Sequence, residues 1–371
     1  MKYYLIAGEA SGDLHASNLM RELKILDPAS SFRFWGGDMM QGVGGELVKH
    51  YKELAFMGFT EVIINLRTIL KNIEFCKKDI LSYKPDVLIL VDYPGFNLRI
   101  AEFAKKHNIK VFYYISPQVW AWKQSRVQHI KKYVDRMFVI LPFEKEFYKK
   151  FDYKVDFVGH PLLDALEQRK KTKDSFSDFV KKNDLNEKPI VAILPGSRKQ
   201  EIEKMLPVMA KMSSYFPACQ FVVAGVSTQQ TEFYKDLVGK NDIKCLFGKT
   251  YDLLEQSTAA LVTSGTATLE TALFGIPEVV CYKGGNISFR IAKMLVKVDY
   301  ISLVNLIMGK EVVKELIQQE FKESSLRIEL DKLLNDLNYS KIMTENLNEL
   351  RSKLGGIGAS KKTAQLIVSS L

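Results

Sequence analysis

Short apolar runs recur along this chain at helix-length intervals, and that rhythm limits its fold more than any other feature. Tyr3–Ala7, Asp86–Val91, Lys110–Ile115 and Met137–Leu141 are such runs in the first part. Pro189–Leu194, Gln220–Ala224, Ala259–Thr263 and Glu278–Tyr282 follow in the second. Amphipathic stretches such as Leu98–Lys106 and Glu201–Met212 lie between them. Strands that alternate with helices in this way build a parallel sheet with crossover helices.

The rhythm breaks once. Residues 167–188, EQRKKTKDSFSDFVKKNDLNEK, carry many charges and few apolar side chains, which marks an interdomain region that is helical in part. At roughly 150 residues per domain, the chain's 371 residues also suit two domains. The sequence therefore predicts an α/β fold of two successive doubly wound halves, 1–166 and 189–344, joined by 167–188. A last stretch from Lys322 to Leu371 is expected to be helical, interrupted by Gly355, Gly356 and Gly358.

Composition excludes several classes. The 47% hydrophobic and 26% charged content is that of an ordinary globular chain. No apolar run approaches the roughly 20 residues that span a bilayer, and the N-terminus lacks a signal-peptide apolar region before its glycines. Four dispersed cysteines without a CxxC suggest reduced thiols in a cytosolic protein. Five histidines without HxxxH or HExxH spacing give no metal-site pattern. The net charge of +10 suits anionic company: nucleic acid, phosphorylated molecules or an anionic membrane face. No nucleic-acid-binding signature accompanies it.

Several motifs fall at the carboxyl ends of the expected strands, where ligands gather in such sheets. Gly8-Glu9-Ala10-Ser11-Gly12-Asp13 is a glycine-bounded loop opening onto a helix. It reads as a ligand loop or as a structural turn capped by Asp13. Asp92, in LVDYPGFN, reads as a general base whose pKa burial raises, or as a turn cap. Pro94 and Gly95 are expected to turn the chain there. Trp120 and Trp122 share one side if their segment is extended; sugar, acyl chain or core suits that face equally. Lys123 and Arg126 behind them can meet a phosphate.

In the second half, Gly196-Ser197-Arg198 with Glu201 forms an anion-type loop at a helix start. Ser264-Gly265-Thr266 forms another, with Glu270 one turn on to accept ribose hydroxyls. The plainer reading of both is helix capping. Finally, Val62, Leu66, Ile69, Leu70 and Ile73 share one face of a helix expected over Phe59–Ile73, with Ile63 beside them. That face suits an anionic membrane or an acyl groove, and in isolation suits a core better.

Taken together, GEASGD, ELAFMGFTEV, KPDVLILVDYPGFN, YYISPQVWAWKQSRV, LPFEKEFY, FVGHPLLD, LPGSRKQEI, TSGTATLETAL and DYISLVNLI resemble the lipid-A-disaccharide synthase family, up to about residue 315. The resemblance implies an inverting, metal-independent glycosyltransferase without cofactor. It implies a GT-B architecture: two Rossmann-like domains facing a central cleft, with residues 345–371 packing back on the first. The implied reaction joins UDP-2,3-diacylglucosamine to 2,3-diacylglucosamine 1-phosphate (lipid X), giving a β(1→6) disaccharide 1-phosphate and UDP. By resemblance, Asp92 is the general base, Arg198 a UDP ligand, and Asn305 a residue of the donor site. Members often carry Asp where Gly95 stands. Glu9, Ser11, Asp13, Trp120, Lys123 and Arg126 are expected on the acceptor side. The family also implies a peripheral place on the cytoplasmic face of the inner membrane, with no nucleic-acid partner. The competing readings are a soluble UDP-sugar enzyme, such as a UDP-N-acetylglucosamine 2-epimerase, and a non-catalytic nucleic-acid binder.

Overall fold

The computed structural model describes residues 1–54, 65–169, 174–285 and 298–371. The chain divides into two compact units, Met1–Lys170 with Leu354–Leu371, and Lys171–Lys353.

The first unit is built on seven strands: β1 (Lys2–Ala7), β2 (Ser31–Gly36), β3 (Glu46–His50), β4 (Val87–Val91), β5 (Lys110–Tyr114), β6 (Arg136–Val139) and β7 (Asp156–Phe157). They pair in parallel in the order β3-β2-β1-β4-β5-β6-β7. The strand order reverses between β1 and β4, where Ala7 pairs with Val91. Every residue of β4, VLILV, is buried, because helices cover both faces of a parallel sheet. Leu88 and Leu90 pack with Ile100, Ala101 and Ala104 of the helix Pro94–Lys106 in the core.

The second unit repeats the plan with β8 (Ile190–Leu194), β9 (Gln220–Gly225), β10 (Lys244–Phe247), β11 (Ser257–Thr263), β12 (Glu278–Tyr282) and β13 (Lys314–Ile317). Their order is β10-β9-β8-β11-β12-β13, again parallel, with the reversal between β8 and β11.

Three expectations about organisation need correction. Residues 167–188 are helical in part, as expected, but the helix Phe176–Lys182, capped by Ser175, belongs to the second unit, with Phe179 and Val180 buried there. The return to the first unit begins at Leu354, so the helix Leu337–Lys353 stays with the second. The strands β2, β3, β7, β10 and β13 were not expected. β3, β7, β10 and β13 lie at or beside sheet edges, where half-exposed positions admit Lys, Glu, His and Asp and the apolar run disappears. In β2 the run is interrupted by Arg33, whose guanidinium pairs with Asp79 at 2.6 Å.

The segment Leu354–Leu371 is tied to the first unit through hydrogen bonds. Asp164 accepts from the backbone N–H groups of Gly358 at 2.6 Å, Ser360 at 2.8 Å and Ala359 at 3.3 Å. These are the otherwise unpartnered donors that open the helix Ala359–Val368. That helix then packs on Ala10–Leu26.

Candidate active site

In each unit the strand reversal brings two loops side by side at the carboxyl edge of the sheet, and the candidate residues cluster there. In the first unit these loops follow β1 and β4. The helix after β1 starts at Ala10, earlier than expected, with Glu9 as its N-cap residue. Gly8 is required here: a Cβ on it would lie 2.3 Å from the Tyr93 ring. Tyr93 is anchored in turn by its hydroxyl, which donates to the Leu54 carbonyl at 3.2 Å.

Asp92 and Tyr93 both have positive φ, 45° and 49°. This pair of left-handed residues makes the turn. Pro94 and Gly95 do not, because they already belong to the helix Pro94–Lys106. Side chains rarely adopt this conformation, and two in succession need support. The support is on the Asp92 backbone. Its N–H donates to the Tyr114 carbonyl at 3.1 Å. Its carbonyl accepts from Asn97 Nδ2 at 2.7 Å and from the Tyr113 hydroxyl at 2.5 Å. Neither residue was singled out from the sequence, although Asn97 stands inside the VDYPGFN motif. The Asp92 carboxyl is pushed up to about 7, first by burial and then by the charge of Glu9, while the Tyr93 backbone N–H opposes the rise. A carboxyl in that range can accept a proton near neutral pH. At Gly95 an added Cβ would meet nothing within 4 Å.

The other acceptor-side candidates separate into distinct roles. Ser11 is exposed and Glu9 half-buried. Asp13 is 3% exposed and is neither the cap of its own helix nor an open carboxylate. It accepts from the N–H groups of Gly37 at 2.8 Å, Met39 at 3.0 Å and Met40 at 3.1 Å. It thereby caps the neighbouring helix Asp38–Val43. The two tryptophans do not share a side, because Val119–Trp122 is a helical turn. Trp120 is buried, edge-on to Phe143 with centroids 5.0 Å apart. Trp122 is 48% exposed, and Lys123 Nζ and Arg126 Cζ each lie 5.4 Å from its ring centroid.

In the second unit the loops follow β8 and β11. Gly196 has φ +110° and is pressed by Glu201, whose Oε2 would lie 2.9 Å from an added Cβ. Arg198 is the N-cap residue of the helix Lys199–Ala210, which begins two residues earlier than expected. Glu201 accepts from the Arg198 N–H at 3.4 Å and from its Nη1 at 3.3 Å. The guanidinium remains well exposed beside Ser197. Gly265 and Thr266, exposed at the start of the helix Thr266–Leu273, face the same edge. Glu270 lies one turn further and accepts from the Tyr251 hydroxyl at 2.9 Å. Burial raises its carboxyl, and the Tyr251 hydrogen bond holds it back.

Asn305 is fully buried, which changes how it can serve a donor site. Its Oδ1 accepts from Val312 N at 2.7 Å and Val313 N at 3.0 Å, and its Nδ2 donates to Glu315 Oε1 and the Val313 carbonyl, both at 2.9 Å. Glu315 also accepts from Ile301 N, Ser302 N and the Ser302 hydroxyl. The Ile301 carbonyl in turn accepts from Ser264 Oγ at 3.2 Å. Asn305 therefore holds a loop that abuts Ser264, and its amide is spent within the protein. Glu315, missed in the sequence, is the centre of that network.

Val62 and Ile63 lie outside the described residues. The helix observed is Leu66–Tyr83, and the expected apolar face is divided. Ile73 is buried and Ile69 packs on the core, whereas Leu66 and Leu70 are exposed at 46% and 48%, alongside Arg67 and Lys71. No helix among the described residues is long and apolar enough to cross a membrane.

A family model described as lipid-A-disaccharide synthetase matches residues 3–368. The chain belongs to the lipid-A-disaccharide synthase family. A member from Syntrophus aciditrophicus is 41% identical over 372 residues, covering 98% of this chain and 96% of its own. One from Trichlorobacter lovleyi is 39% identical over 371 residues, with the same coverage. The protein is accordingly a glycosyltransferase of lipid A biosynthesis. Among solved structures, the UDP-GlcNAc 2-epimerase of Neisseria meningitidis superposes with a TM-score of 0.71 at 14% identity, each chain covered completely. The glycosyltransferase of kitacinnamycin gives 0.68 at 14%, covering 100% of this chain and 99% of its own. At such identity these likenesses show the shared GT-B fold alone. Family membership therefore decides against the epimerase and nucleic-acid readings.

Proposed function

We propose that this lipid-A-disaccharide synthase condenses UDP-2,3-diacylglucosamine with 2,3-diacylglucosamine 1-phosphate, with Asp92 as general base. The observation that carries the assignment of the base is the Asp92 carboxyl, raised to about 7 on a turn held by Asn97 and Tyr113. The acceptor's 6-hydroxyl gives its proton to the Asp92 carboxylate as its oxygen attacks the anomeric carbon. The bond from that carbon to the UDP oxygen breaks with inversion, and the diphosphate leaves with the bonding pair. Arg198 and the backbone N–H groups of the loops 196–198 and 264–266 meet the charge that develops there. Glu270 accepts from the ribose hydroxyls. Asn305 acts through the loop it holds.

Both substrates carry acyl chains, so the enzyme works at the cytoplasmic face of the inner membrane as a peripheral protein. Exposed Leu66 and Leu70 beside Arg67 and Lys71, with a net charge of +10, support that placement. The test is to mix purified protein with both substrates in detergent and follow UDP and disaccharide mass. Wild type is expected to form the disaccharide, and Asp92→Asn to lose roughly a hundredfold or more. An undiminished rate in Asp92→Asn would remove the base assignment.

A further inference from the structure

The turn after β5 carries Lys123 and Arg126, expected on the acceptor side, to which the reaction above gives no role. It is stiff. Trp120 is buried against Phe143, and Ser116, itself buried, shares a 2.7 Å hydrogen bond with the Tyr148 hydroxyl. The backbone closes on itself through Lys123 N to the Val119 carbonyl at 3.3 Å and Arg126 N to the Lys123 carbonyl at 3.0 Å. From this base Trp122 projects half-exposed, with Lys123 and Arg126 both over its ring. Among the described residues neither cation pairs with a carboxylate. Arg33 and Arg136, by contrast, are each paired with an aspartate. Two cations, each 5.4 Å from one indole ring and without a carboxylate partner among the described residues, form a local field suited to an anion with more than one charge.

The cluster belongs to the same sheet edge as Asp92. The Asp92 N–H bonds to Tyr114, the last residue of β5, and the Tyr113 hydroxyl bonds to the Asp92 carbonyl. That hydroxyl also feels the charge of Arg126. An aromatic face beside a guanidinium and an ammonium suits a sugar that bears a phosphomonoester. The C–H face of a pyranose packs on indole, and the phosphate oxygens accept charge-assisted hydrogen bonds.

We propose that Trp122, Lys123 and Arg126 form the phosphate subsite for the acceptor, gripping its phosphomonoester and sugar ring so that the distal hydroxyl is presented to Asp92. This rests on the reaction proposed above. The same cations could instead serve the phosphates of membrane lipids, so the experiment separates the two sources. Wild type and the double variant Lys123→Gln with Arg126→Gln are assayed in neutral detergent micelles and on vesicles containing anionic phospholipid. The acceptor is supplied with its phosphate and, separately, without it.

The expected result is a rise of about tenfold to a hundredfold in KM for the phosphorylated acceptor. Donor KM stays the same, the dephosphorylated acceptor is scarcely affected, and the thermal unfolding midpoint is unaltered. Equal losses on both acceptors would overturn the subsite. So would a loss seen only on vesicles containing anionic phospholipid, which would assign the cations to headgroups. If wild type forms no disaccharide at all, the proposed reaction is wrong and the subsite falls with it; disaccharide formed indifferently to the phosphate refutes the subsite alone.

Discussion

If Asp92 is the base, the acid limb of the pH–rate profile lies near pH 7, where burial and the neighbouring Glu9 charge place its carboxyl. Only the ionised form accepts a proton. With a midpoint near 7, the active fraction falls to about a tenth at pH 6 and about a hundredth at pH 5. The rate at pH 8 then exceeds that at pH 5 by about 90-fold, whereas an ordinary aspartate would leave the two within about 10% of each other. Glu9→Gln provides the structural test. It removes a like charge, so the Asp92 midpoint moves to lower pH, and because burial is the larger cause it stays above the ordinary value. The assay is kcat/KM from pH 5 to 9 for wild type and Glu9→Gln. The acceptor's phosphate also titrates near pH 6, and the comparison isolates Asp92 because both enzymes meet the same acceptor. A flat profile between pH 5 and 8, or a limb that moves upward in Glu9→Gln, would refute the reasoning.

Three further outcomes concern the framework. Glu278 is fully buried, its oxygens have no hydrogen-bond partner among the described residues, and burial holds its carboxyl well above the usual range. A folded-state value above the unfolded one means that stability falls as pH rises through the window between them. Glu278→Gln is therefore expected to unfold at a higher temperature than wild type at pH 8, with the gap narrowing towards pH 5; a gap independent of pH would contradict this. Asn305→Ala strands the N–H groups of Val312 and Val313 and should cost about 2–4 kcal/mol in denaturant unfolding, with donor KM raised. Wild-type stability would show that the network is dispensable. Asp164→Ala strips the cap from the helix Ala359–Val368, and hydrogen exchange should show protection lost over 359–368 while β4 stays protected.

The sequence by itself determined the strands that are buried on both faces. β4 and β8 are legible because helices above and below leave no place for a polar side chain, so the run of apolar residues is continuous. The loops at the ends of such strands were legible too, being small, polar or glycine-rich, and Asp92, Arg198 and Thr266 stand in or beside them. Edge strands such as β3 and β13 were not legible, because polar residues such as Lys49, His50, Lys314 and Glu315 break their apolar runs and make them resemble loops.

Only the tertiary structure decided which polar groups are spent and which are open. Asp13 and Asn305 each sit in a promising motif, yet both are consumed by backbone N–H groups, Asp13 by those of Gly37, Met39 and Met40 and Asn305 by those of Val312 and Val313. Trp120 and Trp122 do not share the side that an extended segment would give them, because one helical turn sends these side chains to different sides. Glu9 reaches Asp92 only because β1 and β4, some eighty residues apart in sequence, are adjacent in the sheet. Partner choice depends on strand order, and strand order is a property of the whole packed sheet that no local pattern encodes.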